Sequence, residues 1–256
     1  MKLSNQQLEN FVDVCSAIET VSNDIHIKNG QIKQFARRRS FIVHVDMESI
    51  FQHVPQEEMI TDIKLSSAKD RLKVFTAFLT NESTDFYFDY DGRYYTLRDN
   101  ISSFSIREPE EDALENKYDD NATPGNLTDD MLLFEFEFDN VLLKRLKTIS
   151  EVCSSNTLDV KLFHNTSKAE FALSGSSKVL ASTLAKFEYN NELIPNMDVV
   201  GRVSFDCMFY TDKVIVRMYK LDDSFVAFYS KMEIGGCPVV FYQRIRYGEI
   251  IDENNE

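Results

Sequence analysis

The side chains best suited to covalent or metal chemistry are few in this sequence. The histidines are His26, His44, His53 and His164. His44-Val45-Asp46 puts an imidazole and a carboxylate on one face of a strand, a spacing that can supply two metal ligands. No third ligand accompanies them, so the favoured reading is a half-buried strand histidine. Asp89-Tyr90-Asp91-Gly92 offers two carboxylates, but a hairpin turn accounts for it better than a cation loop. Cys15, Cys153, Cys207 and Cys237 are scattered, without C-x-x-C or zinc spacing, and read as small core residues. There is no phosphate-binding loop, zinc-binding helix motif or nucleophile elbow. These observations point away from an enzyme and lead us to expect no cofactor and no metal.

What chemistry is left is electrostatic. The formal charge is −14 over 256 residues, which on its face excludes a protein that coats nucleic acid. The charge is unevenly spread, however. Glu108–Asp130 holds nine acidic residues and one basic residue, Lys117, and accounts for −8 of the total. Basic residues gather elsewhere, as Lys144, Arg145 and Lys147, as Lys69, Arg71 and Lys73, and as Arg37-Arg38-Arg39. Taken alone, each group reads as an ordinary solvated surface or loop.

The elements that carry these groups follow from periodicity. The acidic, Pro- and Gly-containing stretch 108–130 lacks apolar periodicity and reads as a solvated linker. It separates segments 1–107 and 131–256. The first segment opens with a helix near 5–19, whose stripe is Leu8, Phe11, Val12, Cys15 and Ile18. Strands follow at 24–36, broken by Asn29-Gly30, and at 40–47 and 59–66. A second helix at 68–80, capped by Ser66 or Ser67, turns Leu72, Phe75 and Leu79 inward. Strands at 85–92, 93–99 and 102–108 close the segment, with Asp91-Gly92 at a turn.

The second segment repeats this order. The alternating run Leu132–Phe138 reads as a strand. Asp139 caps a helix at 140–153, with Leu142, Leu146, Ile149 and Cys153 on one face. Strands follow at 157–165, 168–175 and 179–189. Gly201–Thr211 reads as a strand running into a short helix at Asp206–Tyr210, and three further strands run from 213 to 247. Both first helices end their stripe in Val-Cys-Ser. Each half thus reads as β-α-β-β-β-α-β-β-β, although Met1–Leu3 is short for a first strand. The fold class is α+β.

No apolar run reaches the roughly 20 residues needed to span a bilayer. The opening "MKLSNQQLEN" has no apolar core of a signal peptide. The protein is expected to be intracellular, with no membrane partner.

The duplicated order, the acidic linker, the low pI and three local stretches resemble the sliding clamps of DNA replication. Those stretches are "MKLS" with its helix, "IHIKNGQIKQ", and "VSFDCMFYTDKVIVRMYKLDDSFVAFYSKMEI". The similarity covers nearly the whole chain and is greatest to T-even-phage clamps, with the trimeric PCNA-type clamps more distant. The resemblance implies a non-catalytic homotrimeric ring that encircles double-stranded DNA without reading sequence. Sheets face outward and helices line the hole. Domains 1–107 and 131–256 are joined by linker 108–130. It further implies that Lys144, Arg145, Lys147, Lys69, Arg71, Lys73, Arg37, Arg38 and Arg39 face DNA. The first helix departs from this pattern, since it carries Asp13 and no lysine or arginine.

In this family a polymerase or clamp loader inserts a short peptide, usually C-terminal, between the linker and the second domain. The matching residues here are Leu127, the one large apolar residue of the linker between Tyr118 and Met131, with Tyr247, Ile250 and Ile251 of the tail. If phage-encoded, such a clamp works in the host cytoplasm. The alternative from another class is a β-rich viral structural or interaction protein of clamp-like fold that does not encircle DNA.

Overall fold

Local signals in the sequence are realised nearly element for element in the computed structural model, which describes residues 1–37, 39–79, 85–174, 181–193 and 198–249. The chain divides into two units: Met1–Thr123 with Glu233–Phe241, and Pro124–Met232 with the residues from Tyr242.

The first unit begins with β1 (Lys2–Ser4) and α1 (Asn5–Glu19). Ser4 and Gln7 form a reciprocal capping box, which satisfies two N–H groups that a helix start otherwise leaves unpaired. All five residues of the expected α1 stripe are buried. Then come β2 (Ile25–Lys28), β3 (Gln31–Ala36) and β4 (Phe41–Asp46). Asn29 and Gly30 join β2 to β3 with φ of 51° and 74°, the doubly positive pair that a two-residue hairpin turn requires. A short α2 (Glu48–Phe51), which periodicity did not indicate, precedes β5 (Asp62–Leu65) and α3 (Ala68–Leu79). In α3 the buried side chains are Leu72, Phe75 and Phe78, so Phe78 rather than Leu79 faces the core. The unit ends with β6 (Asp85–Tyr90), β7 (Tyr94–Arg98) and β8 (Ser103–Arg107).

The second unit holds β9 (Leu132–Phe138), α4 (Asn140–Cys153), β10 (Thr157–Phe163), β11 (Lys168–Ser174), β12 (Ala181–Glu188) and β13 (Val199–Ser204). A 3-10 turn, Asp206–Tyr210, leads into β14 (Val214–Lys220), β15 (Phe225–Ile234), β16 (Cys237–Arg246) and β17 (Gly248–Glu249). The tip of the β15–β16 hairpin belongs to the first unit.

Pairing shows the duplication more clearly than sequence does. In the first unit the orders are β1-β6-β7-β8 and β5-β2-β3-β4; in the second they are β9-β14-β15-β16 and β13-β10-β11-β12, the last with the two-residue β17 added beside β13. Strand for strand, β1 corresponds to β9, β4 to β12 and β8 to β16. The helix α3 corresponds to the 3-10 turn.

Aromatic packing holds each unit together. Alternation on β9 sends Phe134, Phe136 and Phe138 inward against Phe171 and Phe187, with ring centroids 4.8–5.9 Å apart. Burying each such ring contributes about 1.5–3 kcal/mol. On the opposite face Glu135 meets Arg217 and Glu137 meets Lys213. In the first unit Phe11, Phe75, Phe88 and Tyr95 form the equivalent chain of rings. Gly235, with φ of 57°, lets the hairpin tip lie on α1: a β-carbon there would sit 2.9 Å from the backbone of Asn10.

Candidate nucleic-acid interface

Asp139 starts α4, its Oδ1 accepting the Leu142 N–H at 2.8 Å. The buried side chains are Leu143, Leu146, Ser150 and Cys153, while Leu142 and Ile149 flank them half-buried. The core stripe is therefore turned from the expected one, because Leu143 takes the place assigned to Leu142. The solvent face is unchanged by this rotation: Lys144, Arg145 and Lys147 are all exposed. Among the described residues none of the three makes an ion pair. Lys147 Nζ lies 5.9 Å from the centre of the Phe209 ring. Three cations within four residues, without carboxylate partners, form a local positive surface able to contact phosphate.

The first unit presents charge differently. Lys69 and Lys73 are exposed on α3 and Arg71 is half-buried; Lys73 is paired with Asp70 at 2.8 Å. Arg37 reaches back to the end of α1, where its guanidinium donates to the Thr20 carbonyl at 2.9 Å. Arg37 and Arg39 also lie over the rings of Phe41 and Phe35, at 5.3 and 5.0 Å. Both have positive φ, so the basic turn is tightly wound. Arg38 lies outside the described residues. The solvent face of α1 is anionic, with Glu9 and Asp13 exposed.

Of the groove residues, Leu127 and Tyr247 are half-buried within the second unit. Tyr247 is tied to the β14–β15 turn: its N–H donates to Ser224 O at 3.2 Å and its hydroxyl to Asp222 O at 3.3 Å. Ile250 and Ile251 lie outside the described residues.

Part of the acidic segment is docked on the first unit. Leu114 and Ala122 are buried. Glu115 N–H donates to Asp24 Oδ2 at 2.7 Å, Tyr118 N–H to His26 Nδ1 at 3.0 Å, and Asp119 N–H to Lys33 O at 2.8 Å. Because His26 Nδ1 accepts, its Nε2 carries the hydrogen and donates to Asp62 at 2.7 Å. Burial alone raises the Asp62 carboxyl, but hydrogen bonds from His26 and Lys64 outweigh it and the net shift is downward. Buried Gln34 completes the network by donating to Ser22 Oγ and Asp24 O. Sequence reasoning did not find this dock. The one available signal was a run of polar residues, Ser22, Asp24 and His26, leading into an otherwise apolar strand.

The remaining chemical candidates resolve into structure. Asp91 Oδ1 accepts the N–H groups of Arg93 and Tyr94, which holds its carboxyl below the usual range and caps the β6–β7 turn. Asp89 pairs with Arg98 at 3.0 Å. Burial, with help from nearby Lys33, lowers the His44 imidazole and favours its neutral form. Among the described residues no cluster of three or more His, Cys, Asp or Glu is arranged to hold a metal ion. No described helix is long and apolar enough to cross a membrane.

No protein-family profile matches the chain, and no curated protein does. Solved structures do. Proliferating cellular nuclear antigen from Entamoeba histolytica superposes with a TM-score of 0.62 at 9% identity, over 96% of this chain and 97% of that one. The chain has the sliding-clamp fold. The clamp fold also aligns with the PCNA2–PCNA3 complex of Sulfolobus tokodaii, at TM-score 0.59 and 13% identity over 96% and 99% of the two chains. A. fulgidus PCNA, solved with the C-terminal region of FEN-1, gives 0.57 at 11% identity over 96% and 97%. Clamp-fold similarity thus runs through both units, at an identity where only architecture is shared.

Proposed function

We propose that this chain is the subunit of a homotrimeric sliding clamp that encircles duplex DNA and tethers a replicative polymerase, without catalysing a reaction. A tether of this kind acts by effective concentration: the polymerase that leaves the primer end stays beside it. In this reading the domains are 1–107 and 131–256 with the acidic segment 108–130 between them, the part of that segment up to Thr123 packing with the first unit. Local similarity to T-even-phage clamps makes a viral origin, and work in the host cytoplasm, part of the proposal.

The observation that carries the reading is a pair of open edges. In the first unit β4 is bonded to β16. Its counterpart β12 and the counterpart of β16, namely β8, each have one strand neighbour among the described residues. A chain that ends in two halves of a pairing it already makes once is built to repeat it with copies of itself. Unpaired edges otherwise invite uncontrolled association, and β8 adds exposed Ile101 and Phe104 beside its edge. Pairing β8 of one copy with β12 of the next is heterologous and closes when the rotation allows; the clamp resemblance sets three copies.

Within that ring Lys144, Arg145 and Lys147, with Lys69, Arg71, Lys73 and the 37–39 turn, face the duplex and contact phosphate. Leu127, Tyr247, Ile250 and Ile251 line the groove for the C-terminal peptide of a polymerase or clamp loader. Binding of FEN-1's C-terminal region by another protein of this fold supports the peptide groove, and the PCNA2–PCNA3 complex supports assembly between subunits. The test is native mass together with retention on DNA. A trimer held on nicked circular DNA after loading supports the reading, and a monomer at micromolar concentration overturns it. The alternative, a clamp-fold structural protein that does not encircle DNA, forms no such retained complex.

A further inference from the structure

The two units differ at one place in the layer that carries the basic residues. Between β5 and β6 stands the helix α3, with exposed Lys69 and Lys73. Between β13 and β14, the corresponding place, stands the 3-10 turn Asp206–Tyr210. The helix α1 packs extensively on α3, and α4 makes a smaller contact with this turn. The turn anchors itself through buried Cys207 and Met208. It leaves Phe209 half-buried and Tyr210 39% exposed. Where the first unit offers lysines, the second therefore offers aromatic rings beside the lysines of α4.

We infer that Tyr210 is a nucleic-acid contact, with its ring against the sugar–phosphate backbone of the same duplex that Lys144 and Lys147 hold through phosphate. This deepens, and rests on, the clamp reading. Phe209 sits under the Lys147 ammonium and fixes where that charge lies, so less side-chain freedom is lost when a phosphate arrives. Tyr210 follows it in the chain and adds an exposed ring to the same turn, which packs on α4. An aromatic ring suits this site, because it covers the apolar face of deoxyribose. None of these contacts reads a base, so they are compatible with sliding. The exposed cations of α4, the helix on which the turn packs, favour a polyanion over an apolar protein surface as its occupant.

The test places the photo-reactive residue p-benzoylphenylalanine at position 210 of the full chain, and separately at position 90. Tyr90 serves as control because it is equally exposed, at 39%, and lies on β6, outside the basic layer. A short linear duplex, which can thread a closed ring by its free ends, is bound at low salt and irradiated. Binding is followed independently by fluorescence anisotropy. The expected result is several-fold more photoproduct from position 210 than from position 90. It should fall with added salt in step with binding and disappear in Lys144→Glu/Lys147→Glu. Duplex bound normally, with no more photoproduct at 210 than at 90, overturns the role of Tyr210 and leaves the clamp reading standing. No duplex binding by the unsubstituted protein at any salt overturns both.

Discussion

Replacing Ser105 by proline should take the ring apart while leaving its subunits folded. The β7–β8 ladder shows why. Glu108 N–H donates to Arg93 O, and Asp99 N–H to Ser102 O. Alternation along an antiparallel pair then turns residues 102, 104, 106 and 108 toward β7 and the N–H groups of Ser103, Ser105 and Arg107 toward the open edge. A proline at 105 removes an edge donor without touching the internal ladder, which is where sheets tolerate it. Each intersubunit junction then leaves a carbonyl of β12 without its donor, which costs about 1–3 kcal/mol. That is about 3–9 kcal/mol for a closed trimer. In a monomer–trimer equilibrium the midpoint concentration varies as the square root of the dissociation constant. It therefore rises by the equivalent of about 1.5–4.5 kcal/mol, or roughly one to three decades. Ser105 Oγ also bonds Thr96 Oγ1 at 2.9 Å, so Ser105→Ala, which loses that bond and keeps the N–H, is the control. Sedimentation velocity across a dilution series measures the midpoint, and circular dichroism checks the fold. If Ser105→Pro keeps the parent's midpoint, β8 is not the edge that assembles the ring.

The double variant Lys144→Glu/Lys147→Glu should lower loading and processivity with trimer mass and melting temperature unchanged, since both side chains are exposed. The slope of log affinity against log salt should also become shallower, by about 0.9 for each phosphate that is no longer neutralised. Singly replacing Leu127, Tyr247 and Ile250 by alanine should weaken binding of the cognate polymerase's C-terminal peptide, measured by titration calorimetry on intact rings. Equal binding by all three would place the groove elsewhere. Asp62 has its carboxyl below the ordinary value of 3.8, so it stabilises the fold above that pH and loses this contribution as pH falls through its lowered value. Asp62→Asn should therefore flatten the acid limb of a melting-temperature profile below about pH 4, with little change in its slope near neutrality.

The sequence was most legible where structure is decided locally. Asn29-Gly30, the Asp139 cap and the alternation of Leu132–Phe138 each act within a few residues, and each has its expected consequence. The short helix after β13 was legible for the same reason. The side chains turned inward were less so: Leu143 and Phe78 replace Leu142 and Leu79, because adjacent leucine or phenylalanine pairs leave the stripe's phase open until the helix meets its sheet. The docked segment was illegible because its partners are remote; His26 and Tyr118 are 92 positions apart. An acidic composition with little periodicity reads as solvated chain, yet Leu114 and Ala122 are enough to seat it once Asp24, His26 and Lys33 satisfy its backbone. That β8 and β12 each have one strand neighbour among the described residues could be seen only after the strands were paired. The basic face of α4 survived the change of phase because Lys144, Arg145 and Lys147 span nearly half a turn.

Topological retention on DNA tests the central claim most directly. The protein is loaded on nicked circular DNA in the presence of its loader and ATP, the salt is raised until phosphate contacts are screened, and the bound protein is counted before and after the circle is cut once. An encircling trimer stays on the circle at high salt and runs off when the ends are opened. Loss from the intact circle at high salt, or retention that ignores the cut, would mean that the chain binds DNA by surface contact or not at all, and that its clamp fold serves another purpose.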